Sequence, residues 1–340
     1  MPKGSRGVTS IDVAKAAGVS QTTVSRVLNG HPSVSPKMHA QVQDAIARLG
    51  YRPNLSARSL VTSRTQTVGV VLGDPTNSYY AELLQTVSEE LRRAGYRTLM
   101  LSDRLGGVED LATILWESDV DGVIVTTTLL SPEDEARLVS LDVPAVTMGP
   151  DALPDADSIS PDNLAGGRIA AAHLLDLGHE RIGVIAGPLD AASVRDRHAG
   201  FLAELDARGI ELDASLLDVG DMEYDRAYTA ATSMLRREDA PTAVFCHNDL
   251  LAFASLNAAA ALGLSVPDDV SVLGFDDVRM AAWESFRLTT IRQPIREMAV
   301  GAVESLLARF RQPEQDVSRI TLPCLLVERA TTGAPRSPSN

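Results

Sequence analysis

The chain predicts a small all-α helix-turn-helix head joined to a larger α/β body of two doubly wound parallel-sheet halves. Three observations predict it. A helix-turn-helix pattern lies near the N-terminus, the charge balance reverses after residue 64, and alternating strand and helix patterns fill the rest and restart once.

The head comes first. Ile11, Val13, Ala14 and Ala17 have helical spacing and run into Gly18-Val19-Ser20, where glycine permits a tight turn, Val19 plugs it and Ser20 caps a second helix. In that second helix Val24, Val27 and Leu28 face inward, which displays Gln21, Thr22, Ser25 and Arg26 outward. Such side chains reach base edges and phosphates from a major groove. Ser35-Pro36 starts a third helix whose stripe is Val42, Ile46 and Leu49, and Gly50 ends it. After Pro53, residues 54–61 have the pattern of a two-turn helix too short to be stable alone. Polar residues 62–67 read as a linker.

Charge points the same way. Residues 1–64 hold nine Lys/Arg against Asp12 and Asp44, a net of +7, so the overall −14 leaves −21 on the remainder. A basic head suits phosphate neutralisation, whereas the acidic body is repelled by a duplex. A content of 44% apolar and 22% charged residues is that of an ordinary globular protein. No apolar run approaches a membrane span, and residues 1–7 lack the apolar core of an export signal. Membrane partners are therefore not expected and the cytoplasm is. Cys246 and Cys324 sit inside apolar runs and read as buried, reduced thiols.

In the body, residues 68–72, 98–101, 122–125 and 145–147 read as buried parallel strands, separated by helices near 79–94, 109–118 and 132–141. The order restarts with strands at 181–185, 242–246 and 270–274 and helices near 163–177, 195–208, 225–236 and 249–262. Ligands of such halves bind beyond the carboxyl ends of the strands, in the crevice between them. Enzymatic chemistry finds no support: phosphate-loop and dinucleotide signatures are missing, and His179-Glu180 lacks the second histidine of a zinc motif. No cofactor or metal is expected.

The head, Tyr51-Arg52-Pro53-Asn54 with Ala57-Arg58-Ser59-Leu60, Leu177-Gly178-His179-Glu180-Arg181-Ile182, Gly187-Pro188-Leu189, His247-Asn248-Asp249, Val272–Asp277 and Leu288-Thr289-Thr290-Ile291 occur in order along the chain. With these segments the chain resembles the lactose-repressor (LacI) family of transcription regulators over nearly its full length. The resemblance implies a body of the periplasmic-binding-protein type and a homodimer on a near-palindromic double-stranded DNA operator. It implies base contacts by Gln21, Thr22 and Arg26. Thr9, Ser20, Ser25, Asn29 and Arg58 complete the candidate DNA-contact set, and Leu60 occupies the place of a wedge between base pairs. It also implies an organisation of residues 1–53 as the head and 54–64 as hinge helix and linker. One half then comprises 65–161 with 292–321, the other 162–291 with 322–332, and 333–340 form a tail. Residues 331–340 carry no apolar heptads, so no tetramer-forming zipper is expected, and a dimer is.

Candidate effector groups lie where strands end: Asp276, Asn248, Ser193, Arg195 and Arg197, with Tyr79, Tyr80, Phe245 and Trp283 as rings to pack against a sugar face. The resemblance implies sugar or purine contacts at Asp276, Asn248 and Arg197. From the residues alone, Asp276 and Arg197 can also pair with each other. The chain has Asn77-Ser78-Tyr79-Tyr80 where many members have Asn-Pro-Phe-Phe, and Ala191 where purine-responsive members have arginine. A repressor released by a sugar-like effector is the expectation. A corepressor-dependent regulator responding to a nucleoside or other metabolite is the alternative.

Overall fold

The computed structural model describes residues 8–28, 31, 33–51, 64–102, 119–126, 132–140, 143–150, 153 and 155–336. They form two compact units divided between Thr65 and Gln66. The expected hinge helix, the helix near 109–118, and Asn29, Arg58 and Leu60 lie outside the described residues.

Among the described residues the head has three helices, α1 (Ser10–Ala17), α2 (Gln21–Leu28) and α3 (Pro36–Leu49). A capping box starts α1: the Thr9 hydroxyl accepts from the Asp12 amide, and the Asp12 carboxylate accepts from the Thr9 amide at 2.9 Å. Gly18, at φ 64°, closes the helix in the left-handed region that favours glycine. Ser20 Oγ then accepts from the Thr23 amide at 3.1 Å to start α2. Val13, Ala14, Val24, Val27, Val42 and Ala45 form the core. Ile11 departs from the sequence expectation and is 49% exposed. Two residues from Val13, it lies about 200° round the helix, and so small a core needs one stripe of α1 only. Leu49 is exposed as well, while Ile46 and Tyr51 on either side of it pack against the core.

The body runs β1 (Thr67–Leu72), α4 (Ser78–Arg93), β2 (Arg97–Ser102), β3 (Gly122–Val125), α5 (Pro132–Ser140), β4 (Ala145–Thr147) and β5 (Asp157–Pro161) in its first half. The second half follows with α6 (Asn163–Asp176), β6 (Ile182–Ala186), α7 (Ala192–Ala207), β7 (Leu217–Val219), α8 (Tyr224–Leu235), β8 (Ala243–Cys246), α9 (Asp249–Ala261), β9 (Ser271–Asp276) and β10 (Thr289–Arg292). The chain then returns to the first half for α10 (Ile295–Arg309) and β11 (Arg319–Leu322), and crosses again to β12 (Leu325–Val327). Each half holds a six-stranded sheet, ordered β11-β5-β4-β3-β1-β2 and β12-β10-β9-β8-β6-β7. Among the described residues, every pairing is parallel except β10 with β12.

Both faces of the second sheet are covered at its centre, which is why β6, β8 and β9 read as unbroken apolar runs. Val184, Phe245, Leu273 and Phe275 meet α6 and α7, while Ile185, Val244, Cys246 and Val272 meet α8 and α9. Helices α6 and α7 cross in close backbone contact. A Cβ on Gly167 would collide with the Arg197 carbonyl, and one on Gly200 with the Leu164 carbonyl. Gly167→Ala is therefore expected to cost about 1–3 kcal/mol or more through overpacking. Urea unfolding checks this, and an unchanged midpoint contradicts it.

Residues 333–336, expected to be part of a tail, contact the body. The Gly333 carbonyl accepts from His179 Nε2 at 2.8 Å, and Arg336 pairs with Asp269, so these residues belong to the body. Cys246 and Cys324 are buried and unpaired, and burial pushes the Cys246 thiol up to about 12. Among the described residues, no helix is long and apolar enough to cross a membrane and no side-chain cluster suits a metal ion.

Candidate functional site

On the head, Gln21, Thr22, Ser25 and Arg26 are all exposed along α2, opposite buried Val24 and Val27. Two anchors fix this row. Gln21 Nε2 donates to Ser10 Oγ at 3.1 Å, and Ser20 Oγ lies 2.9 Å from Thr23 Oγ1. Thr9 and Ser20 serve as helix caps, with exposed side chains beside the row.

In the body, the carboxyl ends of the strands face a cavity between the halves, the place where ligands of such folds bind. Six of the candidate effector residues line it: Tyr79, Tyr80, Ser193, Arg197, Asn248 and Asp276. Tyr79 and Tyr80 stand at the start of α4, which Asn77 caps by accepting from the Tyr79 amide at 3.0 Å. Asn248 caps α9 in the same way, accepting from the Leu251 amide at 2.9 Å.

Three candidates fall elsewhere. Phe245 is wholly buried and stacks on Phe201, ring centroids 4.6 Å apart, because alternate strand residues point into the layer against α7. Arg195 pairs with Asp196 at 3.4 Å on the exposed side of α7. Trp283 is 55% exposed and does not line the cavity. Conversely, Asn77, Thr126, Asn163, Met222 and Gln293 line the cavity, although no sequence pattern marks them as ligand groups. Asn163 and Gln293 lie where the chain crosses between the halves. Those crossings follow β5 and β10, two strands too short and polar to be read from periodicity.

A polar network centred on Arg197 organises the floor. Its guanidinium lies 3.4 Å from the centroid of the Phe275 ring. It donates to the His247 carbonyl and to Asn163 Oδ1, the latter at 2.9 Å, and comes within 4.0 Å of Asp276. Gln293 Nε2 donates to Asp276 Oδ1 at 2.6 Å, while Gln293 Oε1 accepts from the Tyr79 hydroxyl at 3.2 Å. Burial pushes the Asp276 carboxyl up to about 7, against the opposing pull of Arg197 and Gln293. Burial likewise raises Asp249, which accepts from Thr290 Oγ1 at 2.6 Å and from the Val278 amide at 2.9 Å.

Asp276 and Asp277 both have positive φ, 123° and 58°, conformations that non-glycine residues hold only when their surroundings enforce them. Asp277 is clamped by Arg292 and Arg329, each at 2.6 Å. Beneath Arg197, buried His247 has neither ring nitrogen bonded among the described protein atoms, and the same holds for His198 Nδ1 and Arg197 Nε. Burial, with repulsion from Arg197, holds His247 well below the ordinary imidazole range, so its ring is neutral at pH 7. The site is thus one buried cation, one carboxyl poised near neutrality, and several amides and hydroxyls. It suits a ligand rich in hydroxyl groups.

Comparison with known proteins agrees with this construction. The profile of bacterial regulatory proteins of the lacI family matches residues 11–54, and that of the periplasmic binding protein-like domain matches 171–332. The chain is 35% identical over 311 residues to the HTH-type transcriptional repressor PurR of Aliivibrio salmonicida, covering 90% of this chain and 93% of that one. It is also 35% identical over 328 residues to the ribose operon repressor of Escherichia coli, covering 94% and 98%. Among solved structures, it is similar to the lac repressor dimer bound to operator and the anti-inducer ONPF, with TM-score 0.84 and 30% identity over 97% of this chain and 100% of that one. A regulator from Enterococcus faecium with bound ribose has TM-score 0.72 and 27% identity over 79% and 100%. A reading helix on a basic head, a two-sheet body with a polar ligand cavity, and this likeness over nearly the whole chain together place the protein in the lacI family of bacterial regulatory proteins.

Proposed function

We propose that the protein is a cytoplasmic, non-enzymatic repressor that grips a near-palindromic operator as a homodimer and releases it when a sugar-like effector fills the body cavity. The observation that carries the effector class is the lining: Arg197, Asp276, Asn163, Asn248 and Ser193 on one wall face Asn77, Thr126, Tyr79 and Tyr80 on the other. Carboxylate and guanidinium grip vicinal hydroxyls, and a tyrosine face packs on the apolar side of a sugar ring. The likeness to a ribose operon repressor and to a ribose-bound regulator supports the same class.

A corepressor that tightens the operator complex is the second reading, kept because the chain is as similar to the transcriptional repressor PurR as to the ribose operon repressor. Ala191 weighs against a purine, because its short side chain is buried at the cap of α7 and brings no hydrogen-bonding group to the cavity.

Selection of bound duplexes from a random pool, followed by mobility shift, tests the first part. A palindromic consensus is expected, and absence of any sequence preference overturns the reading. A thermal-shift panel of D-ribose, D-cellobiose and hypoxanthine tests the second. At a hundred times its Kd, a ligand stabilises by about 2.7 kcal/mol, a rise of several degrees. D-Ribose or a related sugar is expected to give that rise and to free the selected duplex. Hypoxanthine giving the rise and tightening the duplex supports the corepressor reading instead.

A further inference from the structure

One face of α4 carries two bonds across the cleft. Glu82 Oε1 accepts from the backbone amide of Arg279 at 2.7 Å, and one turn earlier the Tyr79 hydroxyl donates to Gln293 Oε1 at 3.2 Å. Arg279 opens a short 3-10 turn just after β9, the strand that ends in Asp276, while Gln293 holds the Asp276 carboxylate itself. The two bonds therefore join the first half to the two segments that flank Asp276 in the second. The partners of the Glu82 bond belong to the layers of different sheets, so a rigid separation of the halves at this point breaks it.

We propose that Glu82 is a positioning residue for closure: it latches the mouth of the cleft, and through Tyr79 and Gln293 the latch is tied to occupation of Asp276. A ligand hydroxyl that takes up Asp276 competes with Gln293 for the same oxygen, which changes what Gln293 offers Tyr79. The helix face that carries Tyr79 thus reads the ligand and, through Glu82, sets the closed population. This rests on the reading of the body as a clamp that closes on an effector. A ligand-free measurement therefore tests the latch separately.

The test compares Glu82→Leu, which loses the acceptor, with Glu82→Gln, which keeps an oxygen in the same place. Hydrogen exchange of the full-length protein is followed by mass spectrometry without ligand. Glu82→Leu is expected to speed exchange about tenfold in the segment containing Arg279 and also across residues 290–296, while residues 243–255 stay protected. Glu82→Gln is expected to stay within about twofold of the parent. Faster exchange confined to the Arg279 segment, unchanged exchange throughout, or equal effects of both variants overturns the latch. In a second arm, D-ribose affinity of Glu82→Leu is expected to fall about 5- to 50-fold, as the closed population drops. If D-ribose does not bind the parent, the ribose assignment falls, and the exchange comparison alone decides the latch.

Discussion

Asp276→Asn is expected to melt several degrees above the parent at pH 8 while its thermal response to the effector falls to about half or less. Held at about 7 rather than 3.8, the carboxyl binds its proton more tightly in the folded chain than in the unfolded one. Its ionisation therefore removes stability as pH rises from about 4 to 7, up to about 4 kcal/mol above pH 7. Asparagine stands in for the neutral carboxyl, keeps an oxygen for Gln293 and escapes that penalty. The same change leaves the ligand one weaker acceptor, and charged hydrogen bonds are worth about 1.5–3 kcal/mol, so affinity falls roughly ten- to hundredfold. Differential scanning calorimetry at pH 8 and pH 5 checks the stability, and the gap between variant and parent should shrink at the lower pH. A variant less stable than the parent at both pH values removes the assignment.

Arg309→Met is expected to lose about 3–5 kcal/mol, because it strands a buried carboxylate. Asp157 is fully buried in β5, and Arg309 reaches it from α10 with Nη2 at 2.6 Å and Nε at 2.9 Å. Burial pushes this carboxyl up, but the bonds from Arg309, Ser305 and the Ser318 amide outweigh it and hold the group down at about 2. The sign is opposite to that of Asp276: the contribution is full above the unfolded value and disappears as pH falls through about 2. Urea unfolding at pH 7 measures the loss. Adding Asp157→Asn to Arg309→Met should recover at least half of it, since the uncompensated charge is gone. A double variant no better than the single one excludes a charge origin.

Much of this is legible in the amino-acid sequence. The turn at Gly18, the caps at Ser20 and Ser35, and the outward row of α2 follow from local chemistry, since each concerns residues within one turn of one another. The strands that are buried on both faces were visible because burial on both faces writes a continuous apolar run. Strands β5, β7, β10, β11 and β12 were not, being three to five residues long and polar or half-exposed. Helix α10 was missed with them, although it buries Met298, Ala299, Ala302 and Leu306 against the first sheet. Helix α10 and β11 belong to the returning chain, and β11 finds its place in the sheet against β5, more than a hundred residues earlier.

For the cavity, residue type identified Asp276, Arg197 and Asn248, but not which rings accompany them. Phe245 and Tyr79 look alike as candidates. Only the pleat of β8, which turns Phe245 into the layer under α7, separates the two.

By itself, the sequence determined a basic reader on an acidic two-part body and the chemistry its cleft offers, because charge, capping and burial periodicity are local properties. The tertiary structure alone decided that Asn163 and Gln293 join the floor, that Asp276 sits strained and poised near neutrality, and that Glu82 bridges the halves. Each of those depends on distant segments brought together, and desolvation and cross-cleft bonds exist only after the chain has folded.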